Sequence, residues 1–432
     1  MSKKLAIFES SLRDGAQAEG ISFSVEDKLA LLELFDNHGL DYIEAGNPGS
    51  NPKDLEFFAR ARTVRLKHAK LAAFGSTRRR GIGIEQDDNA QSLLLADTPV
   101  VVIFGKSWDF HVTDIIRASL DENLAMIRET LAFFKSRGKE VIFDAEHFFD
   151  GYKNHPDYAM ETLRAAVEGG ADTLVLCDTN GGSFPSEVGK IVARMAGLFE
   201  TPLGIHAHND SGLAVANSIA AVENGARHVQ GTYIGFGERC GNANLSTIIA
   251  NLGVKRDYDC LPPEQYRNIV HVARHVAAIS NVTLSEREPF IGNSAFAHKG
   301  GMHIDGVNKA SRSFEHIDPE RIGGRRRFLT SEVSGRRMVL EKIWEVDPSV
   351  AKDDPVTDRI VKHLKALEHR GYQFEGAESS FELIVRKQLG KYRSFFDLMH
   401  FRIIGEQPAT GEYSSSAIIK IKVDGEDEIT AA

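Results

Sequence analysis

Eight short apolar runs, each followed by a turn and an amphipathic stretch, fill roughly the first 250 residues. No other feature constrains the fold as strongly. The runs are "LAIFES", "DYIEAG", "LAAFGS", "VVVIFG", "EVIFDAEH", "DTLVLCDT", "LGIHAH" and "HVQGTYIG". Between them lie helical patterns such as "SVEDKLALLELFDNHG" and "YAMETLRAAVEGG", several closed by the glycine that commonly ends a helix. Strands separated by helices pair in parallel. Eight such units predict an α/β chain built on a closed (β/α)8 TIM barrel over residues 1–260, in preference to an open doubly wound sheet. No G-x-G-x-x-G follows the first strand, which argues against a dinucleotide site.

The alternation stops after about residue 255. "PPEQYRNIVHVARHVAAIS" reads as a helix opened by Pro262 and Pro263. Residues 261–320 are expected to form a linker or lid containing "HKGGMHID", and residues 321–410 a helical subdomain with two helices joined at Gly371. In the tail, residues 411–432, "AIIKIKVDGED" alternates as one strand running into a turn. One strand has no core of its own.

The net charge of -9 disfavours nucleic acid as a partner. Three cysteines without a C-x-x-C fit a reducing compartment. No leader-like or membrane-length apolar segment is evident, so a cytoplasmic protein is expected.

Catalytic side chains of such barrels sit at the C-terminal ends of strands. Those ends hold Arg13 and Asp14 after strand one, Glu44 after two, and Asp144, Glu146 and His147 after five. They continue with Asp178, Thr179 and Asn180 after six, His206 and His208 after seven, and Glu238, Arg239, Asn242 and Asn244 after eight. His206 and His208 share one strand face. An isolated H-x-H is often a structural pair; with Asp14 and Asn242 converging on it, the set reads as an open metal site for Mg²⁺, Mn²⁺ or Zn²⁺. Such an ion acts as a Lewis acid on a bound carbonyl. Arg13 either stabilises an oxyanion or forms a salt bridge with Glu44. Cys240 reads as a small packed side chain rather than a nucleophile, and Cys177 as core. The runs "RRRG" (78–81) and "GGRRRF" (323–328) are solvated surface or phosphate-attracting patches.

Taken together, "SLRDGAQ", "HAHND", "GERCGNANL" and "AFAHKGGMH" resemble the acyl-CoA-condensing synthases of the DRE-TIM metallolyase group. Longer stretches, among them "IFGKSWDFHV", "DAEHFFDGYKNHP" and "GYQFEGAESSFELI", are similar to the long-form citramalate synthases. The resemblance implies an acyltransferase that condenses acetyl-CoA with pyruvate and hydrolyses the thioester, in isoleucine biosynthesis. It implies a divalent metal on Asp14, His206, His208 and Asn242. Arg13 and Thr179 would hold the 2-oxo acid, and Glu146 would serve acid–base steps with His303. It also implies a homodimer in which the partner supplies the segment of His303 and Asp305. Phe314, in the acetyl-CoA region, stands where that group usually has tyrosine. The resemblance further implies that residues 411–432 are only the start of a C-terminal, amino-acid-binding regulatory domain, so a regulatory site for isoleucine or leucine is expected to be missing. Sister synthases acting on 2-oxoisovalerate or 2-oxoglutarate, and C–C lyases of the same superfamily, are the alternatives.

Overall fold

The computed structural model describes residues 3–329, 340, 343–372, 374, 377–407, 410, 413–423 and 426–431. The eight apolar runs form a closed, parallel barrel in sequence order. Its strands are β1 (Ala6–Glu9), β2 (Tyr42–Glu44), β3 (Lys70–Ser76), β4 (Val100–Lys106), β5 (Glu140–Glu146), β6 (Thr173–Asp178), β7 (Leu203–Ala207) and β8 (His228–Gly231). Pairing of Ala6 with His228 and of Glu9 with Gly231 closes the ring.

Around the barrel run α1 (Val25–His38), α2 (Pro52–Ala61), α3 (Asp88–Ala96), α4 (Leu120–Lys135), α5 (Phe148–Asn154), α6 (Pro156–Glu168), α7 (Pro185–Ala196), α8 (Ala214–Glu223) and α9 (Leu245–Ile249). Local sequence explains where they start and stop. Ser24 and Asp27 form a reciprocal capping box on α1. Gly39 ends that helix at φ 83°, where a Cβ would lie 2.5 Å from the Pro262 ring. Asn51 and Ser119 cap α2 and α4.

Strand alternation divides the side chains into two sets. Outward-facing Ile7, Ile43, Val101, Ile103 and Val141 join the helices in the large shared core. Inward-facing Phe8, Ala72, Val100, Val102, Ile142 and Val175 fill one end of the barrel. Each large apolar side chain so buried contributes about 1.5–3 kcal/mol. Toward the C-terminal ends of the strands, buried Glu44, Asp144, His206 and Gln230 replace the apolar filling. The structure thus changes from packing to chemistry along the barrel axis.

The chain divides into two compact units, one running to Ala297 and including Phe314–Arg327, the other comprising His298–Ser313 and the chain from Phe328. The division falls beyond the expected boundary at 260, because Leu261, Ile269, Val272, Ala273 and Ile291 are buried in the barrel's own core. The expected helix after Pro262 begins as a 3₁₀ turn, Pro263–Asn268, and continues as α10 (Ile269–Ile279).

The second unit holds α11 (Gly301–Lys309), α12 (Pro355–His369) and α13 (Glu378–Gln388). Ile343, Ile360, Leu364, Phe381 and Val385 form its core. The expected helix pair flanking Gly371 is α12 and α13. Residues 397–406, placed in the helical region by sequence, instead form β9 (Asp397–Glu406), antiparallel to β10 (Ser414–Val423), which pairs with β11 (Glu426–Ala431). The tail is therefore part of a three-stranded sheet rather than one isolated strand. A register shift between Leu398 and His400 breaks the alternation that would have marked β9 as a strand. No described helix is long and apolar enough to cross a membrane.

Candidate metal centre and active site

Asp14, His206 and His208 meet at the mouth of the barrel. His206 Nε2 lies 3.5 Å and His208 Nε2 4.0 Å from Asp14 Oδ2. Ligand-capable atoms of the three lie within 4.8 Å of one another, and all three residues are buried. β7 delivers the two imidazoles two residues apart, so both point inward, their ring centroids 5.1 Å apart.

A hydrogen-bonded chain orients His206. Its Nδ1 lies 3.0 Å from Gln230 Oε1, and Gln230 Nε2 donates to Asp144 Oδ1 at 3.0 Å. An amide oxygen only accepts, so the imidazole proton sits on Nδ1 and the Nε2 lone pair faces Asp14. Burial, reinforced by the neighbouring His208, holds His206 well below the usual imidazole range, and burial lowers His208 as well. Burial pushes the Asp14 carboxyl up, but Arg13 and the two imidazoles outweigh it and hold that group below its ordinary value.

Asn242 arrives from the loop after β8. That loop is fastened beside the end of β7 by an antiparallel bridge between His208 and Asn242. Asn209 N–H donates to the Gly241 carbonyl at 2.9 Å, and Ala243 N–H to the Ala207 carbonyl at 3.0 Å. Gly237 is needed there, since a Cβ on it would sit 2.1 Å from Asn242 Nδ2. Asp14 Oδ1, His208 Nδ1 and both polar side-chain atoms of Asn242 are buried without a hydrogen-bond partner among the described residues. Buried polar atoms are rarely left unpaired. The Asp14 carboxylate, the Nε2 atoms of His206 and His208 and the Asn242 Oδ1 together fit a divalent cation with mixed nitrogen and oxygen ligands.

Arg13 forms the salt bridge with Glu44 that was one of its two sequence readings. Its Nε donates to Glu44 Oε2 at 2.7 Å, Nη1 lies 3.4 Å from Asp14 Oδ2, and the guanidinium stacks 3.8 Å from the Phe74 ring centroid. Ser10 Oγ also donates to Glu44. Glu146, at the end of β5, forms an ion pair with Lys106 at the end of β4. Thr179 Oγ1 accepts from the His147 N–H at 2.9 Å, and its carbonyl accepts from Arg239 Nη2 at 2.7 Å. Arg239 also grips Asp210 with two bonds of 2.8 and 3.0 Å, clamping the loops after β6, β7 and β8 together. Asp178 holds the β6 loop by accepting from the Ser183 hydroxyl at 2.9 Å.

His303 and Asp305 lie on α11 in the second unit, where Asp305 accepts from Lys309 Nζ at 2.6 Å. Phe314 belongs to the barrel unit and is 42% exposed. Cys177 is buried inside the barrel, whereas Cys240 is exposed and not packed as expected. Cys240 sits in a tight turn, with the Gly241 N–H bonded to the Glu238 carbonyl at 3.0 Å, while Asn242 occupies the buried position beyond it. The first arginine run is structural. Arg78 is buried against Glu122 and Glu129, Arg79 pairs with Asp87 and Asp88, and Arg80 donates to the Arg117 carbonyl.

Sequence reasoning assigned no role to Gln230 or Lys106. Gln230 was accessible from "HVQG", because period-two alternation from His228 turns it inward. Lys106 carried no comparable signal; its pairing with Glu146 follows from the register of β4 against β5.

The HMGL-like family profile matches residues 4–276, and the homocitrate synthase post-HMGL domain-like profile matches residues 290–372. The chain is similar to an (R)-citramalate synthase of Geobacter sulfurreducens, 47% identical over 99% of this chain and 81% of that protein. An (R)-citramalate synthase of Aquifex aeolicus is 46% identical over 100% of this chain and 82% of its own length. Among solved structures, hydroxymethylglutaryl-CoA lyase from Pseudomonas aeruginosa matches in fold, with a TM-score of 0.55 and 20% identity over 66% of this chain and 95% of that one.

Proposed function

The chain belongs to the HMGL-like family and, within it, to the (R)-citramalate synthases, and from that premise we propose that it condenses acetyl-CoA with pyruvate to give (R)-citramalate and CoA. Near full-length identity to (R)-citramalate synthases is the observation that carries this choice over a sister synthase. The methyl group of acetyl-CoA loses a proton, and its carbon attacks C2 of pyruvate, whose oxygen takes up a proton. Water then cleaves the thioester and releases CoA.

Asp14, His206, His208 and Asn242 are the residues that would hold a divalent cation. Such an ion, when bound, polarises the 2-oxo group as a Lewis acid. Arg13 offers its remaining N–H donors to the carboxylate and the developing oxyanion of pyruvate. Glu44 fixes that guanidinium from behind. The Thr179 hydroxyl, which accepts from the His147 N–H, keeps its own proton to donate to substrate. Glu146 takes the methyl proton, and Lys106 holds its carboxylate in place. His303 and Asp305 complete the site from the partner of a homodimer. The enzyme is assigned to the cytoplasm and to isoleucine synthesis.

The deciding experiment follows free CoA thiol from acetyl-CoA with pyruvate, 2-oxoisovalerate and 2-oxoglutarate in turn. Pyruvate is expected to give the highest kcat/KM. A preference for either larger 2-oxo acid would replace this reading with that of a sister synthase.

A further inference from the structure

The second arginine run differs from the first in that only one of its three guanidiniums, that of Arg326, has an ion pair among the described residues. Arg325, Arg326 and Arg327, together with Arg274 of α10, line a cavity of about 740 Å³ in the barrel unit. That volume is typical of small-molecule sites. Among the described residues no carboxylate lines the cavity. Arg326 alone is matched, by two bonds of 2.7 and 2.6 Å to Glu315. Arg274 and Arg327 reach only neutral oxygens of Asn293, the side-chain amide at 3.1 Å and the carbonyl at 3.2 Å. Arg325 has no ion pair among the described residues.

The backbone holds these cations in place. Arg327 N–H donates to the Phe296 carbonyl at 3.0 Å, and Gly324 N–H to the Pro319 carbonyl at 2.9 Å. Gly323 turns at φ 75°, where a Cβ would sit 2.2 Å from the Arg267 carbonyl oxygen. Phe290 and Phe296, both buried, supply an apolar floor to the same cavity. Three uncompensated guanidiniums on a fixed scaffold repel one another, in a chain whose net charge is -9. An anion with several oxygens relieves that repulsion, and guanidinium forks suit phosphate geometry.

We infer that this cavity binds a phosphorylated small molecule carrying a planar base, an adenosine phosphate being the simplest, with its phosphates on Arg274, Arg325 and Arg327 and its base over Phe290 and Phe296. Binding of the phosphates and the base stands apart from the condensation reading; assignment to a CoA thioester rests on it. Two sources share the chemistry: a free nucleotide, and the adenosine-phosphate end of a CoA thioester.

The test is calorimetric titration of the full chain with pyrophosphate and with ADP, repeated on Arg325→Gln/Arg327→Gln and, from a different element, on Arg274→Gln. Saturable binding of both probes is expected, tighter for ADP, and weakened at least tenfold in the double variant with kcat unchanged. ADP that competes with acetyl-CoA, with a raised KM for acetyl-CoA in the double variant, assigns the cavity to the thioester; ADP that binds without competing assigns it to a free nucleotide. Absence of saturable pyrophosphate and ADP binding to the unaltered protein overturns the inference. Equal binding by folded variants does the same, and if the double variant does not fold, Arg274→Gln alone decides.

Discussion

Replacing Gln230 with leucine isolates the part of the metal centre that is not a ligand. The side chain keeps a similar volume but loses the oxygen that accepts from His206 Nδ1 and the amide that donates to Asp144. His206 is then free to adopt the other tautomer or to turn. Partners of this kind are worth about 10–100-fold in metal affinity, or about 1.4–2.8 kcal/mol. In metal-free protein the same change strands a buried N–H and a buried carboxyl oxygen, each costing about 1–3 kcal/mol. Gln230→Leu is therefore expected to lower both the melting temperature and the affinity for Mn²⁺ or Zn²⁺, the latter measured by competition with a chromophoric chelator. The two readouts separate two roles. A lowered melting temperature with metal affinity within twofold of the unaltered protein would refute the orienting role and leave Gln230 as a packing group.

Other expectations follow from the same geometry. His208→Ala should lose the metal and nearly all activity while staying folded; full turnover in a metal-depleted sample would remove His208 from the site. Glu146→Gln should retain pyruvate binding but slow condensation by about 10²–10⁴-fold, and an unchanged turnover number would transfer the proton-transfer role to His303. Mixing inactive His303→Ala with inactive Glu146→Gln subunits should restore activity if sites are shared across a dimer, and verified mixed dimers without activity would place the lid in its own chain. His228 is buried against Phe8 and Tyr42, and burial lowers its imidazole to about 3. Between about 6.5 and 3 the unfolded chain binds a proton that the fold excludes, so stability falls with falling pH by up to about 1.4 kcal/mol per unit. His228→Phe should flatten that slope in denaturant titrations, and an identical slope would show that the residue does not titrate as described.

The barrel was legible because its signal is local and repeated. Each strand carries its own apolar run, and the closing pair, Ala6 with His228, follows once eight parallel units are counted. The cluster of Asp14, His206 and His208 was legible for the same reason, since barrel topology brings strand ends together whatever the sequence distance. What sequence left open was pairing. Nothing in "DLMHFRIIG" marks a strand when its partner lies across a turn and its alternation slips at Leu398. The two arginine runs look alike in sequence, yet Arg78 finds Glu122 and Glu129 on a neighbouring helix while Arg325 finds no carboxylate among the described residues. Charge neutralisation is a property of neighbours in space, and single-sequence patterns do not carry it.

The salt bridge of Arg13 with Glu44 is compatible with the oxyanion-binding role proposed for the same guanidinium. A cation placed on Asp14, His206 and His208 would be repelled by an unmatched guanidinium 3.4 Å from the shared carboxylate. Glu44, buried and bonded through Oε2 to both Arg13 Nε and Ser10, supplies the matching negative charge. Burial raises the Glu44 carboxyl, and the Arg13 guanidinium opposes that rise. Neutralised in this way, Arg13 can sit beside a metal and still present its other N–H groups to an anionic 2-oxo acid. Removing Glu44 would therefore damage cation binding first and substrate binding second, although Glu44 touches neither.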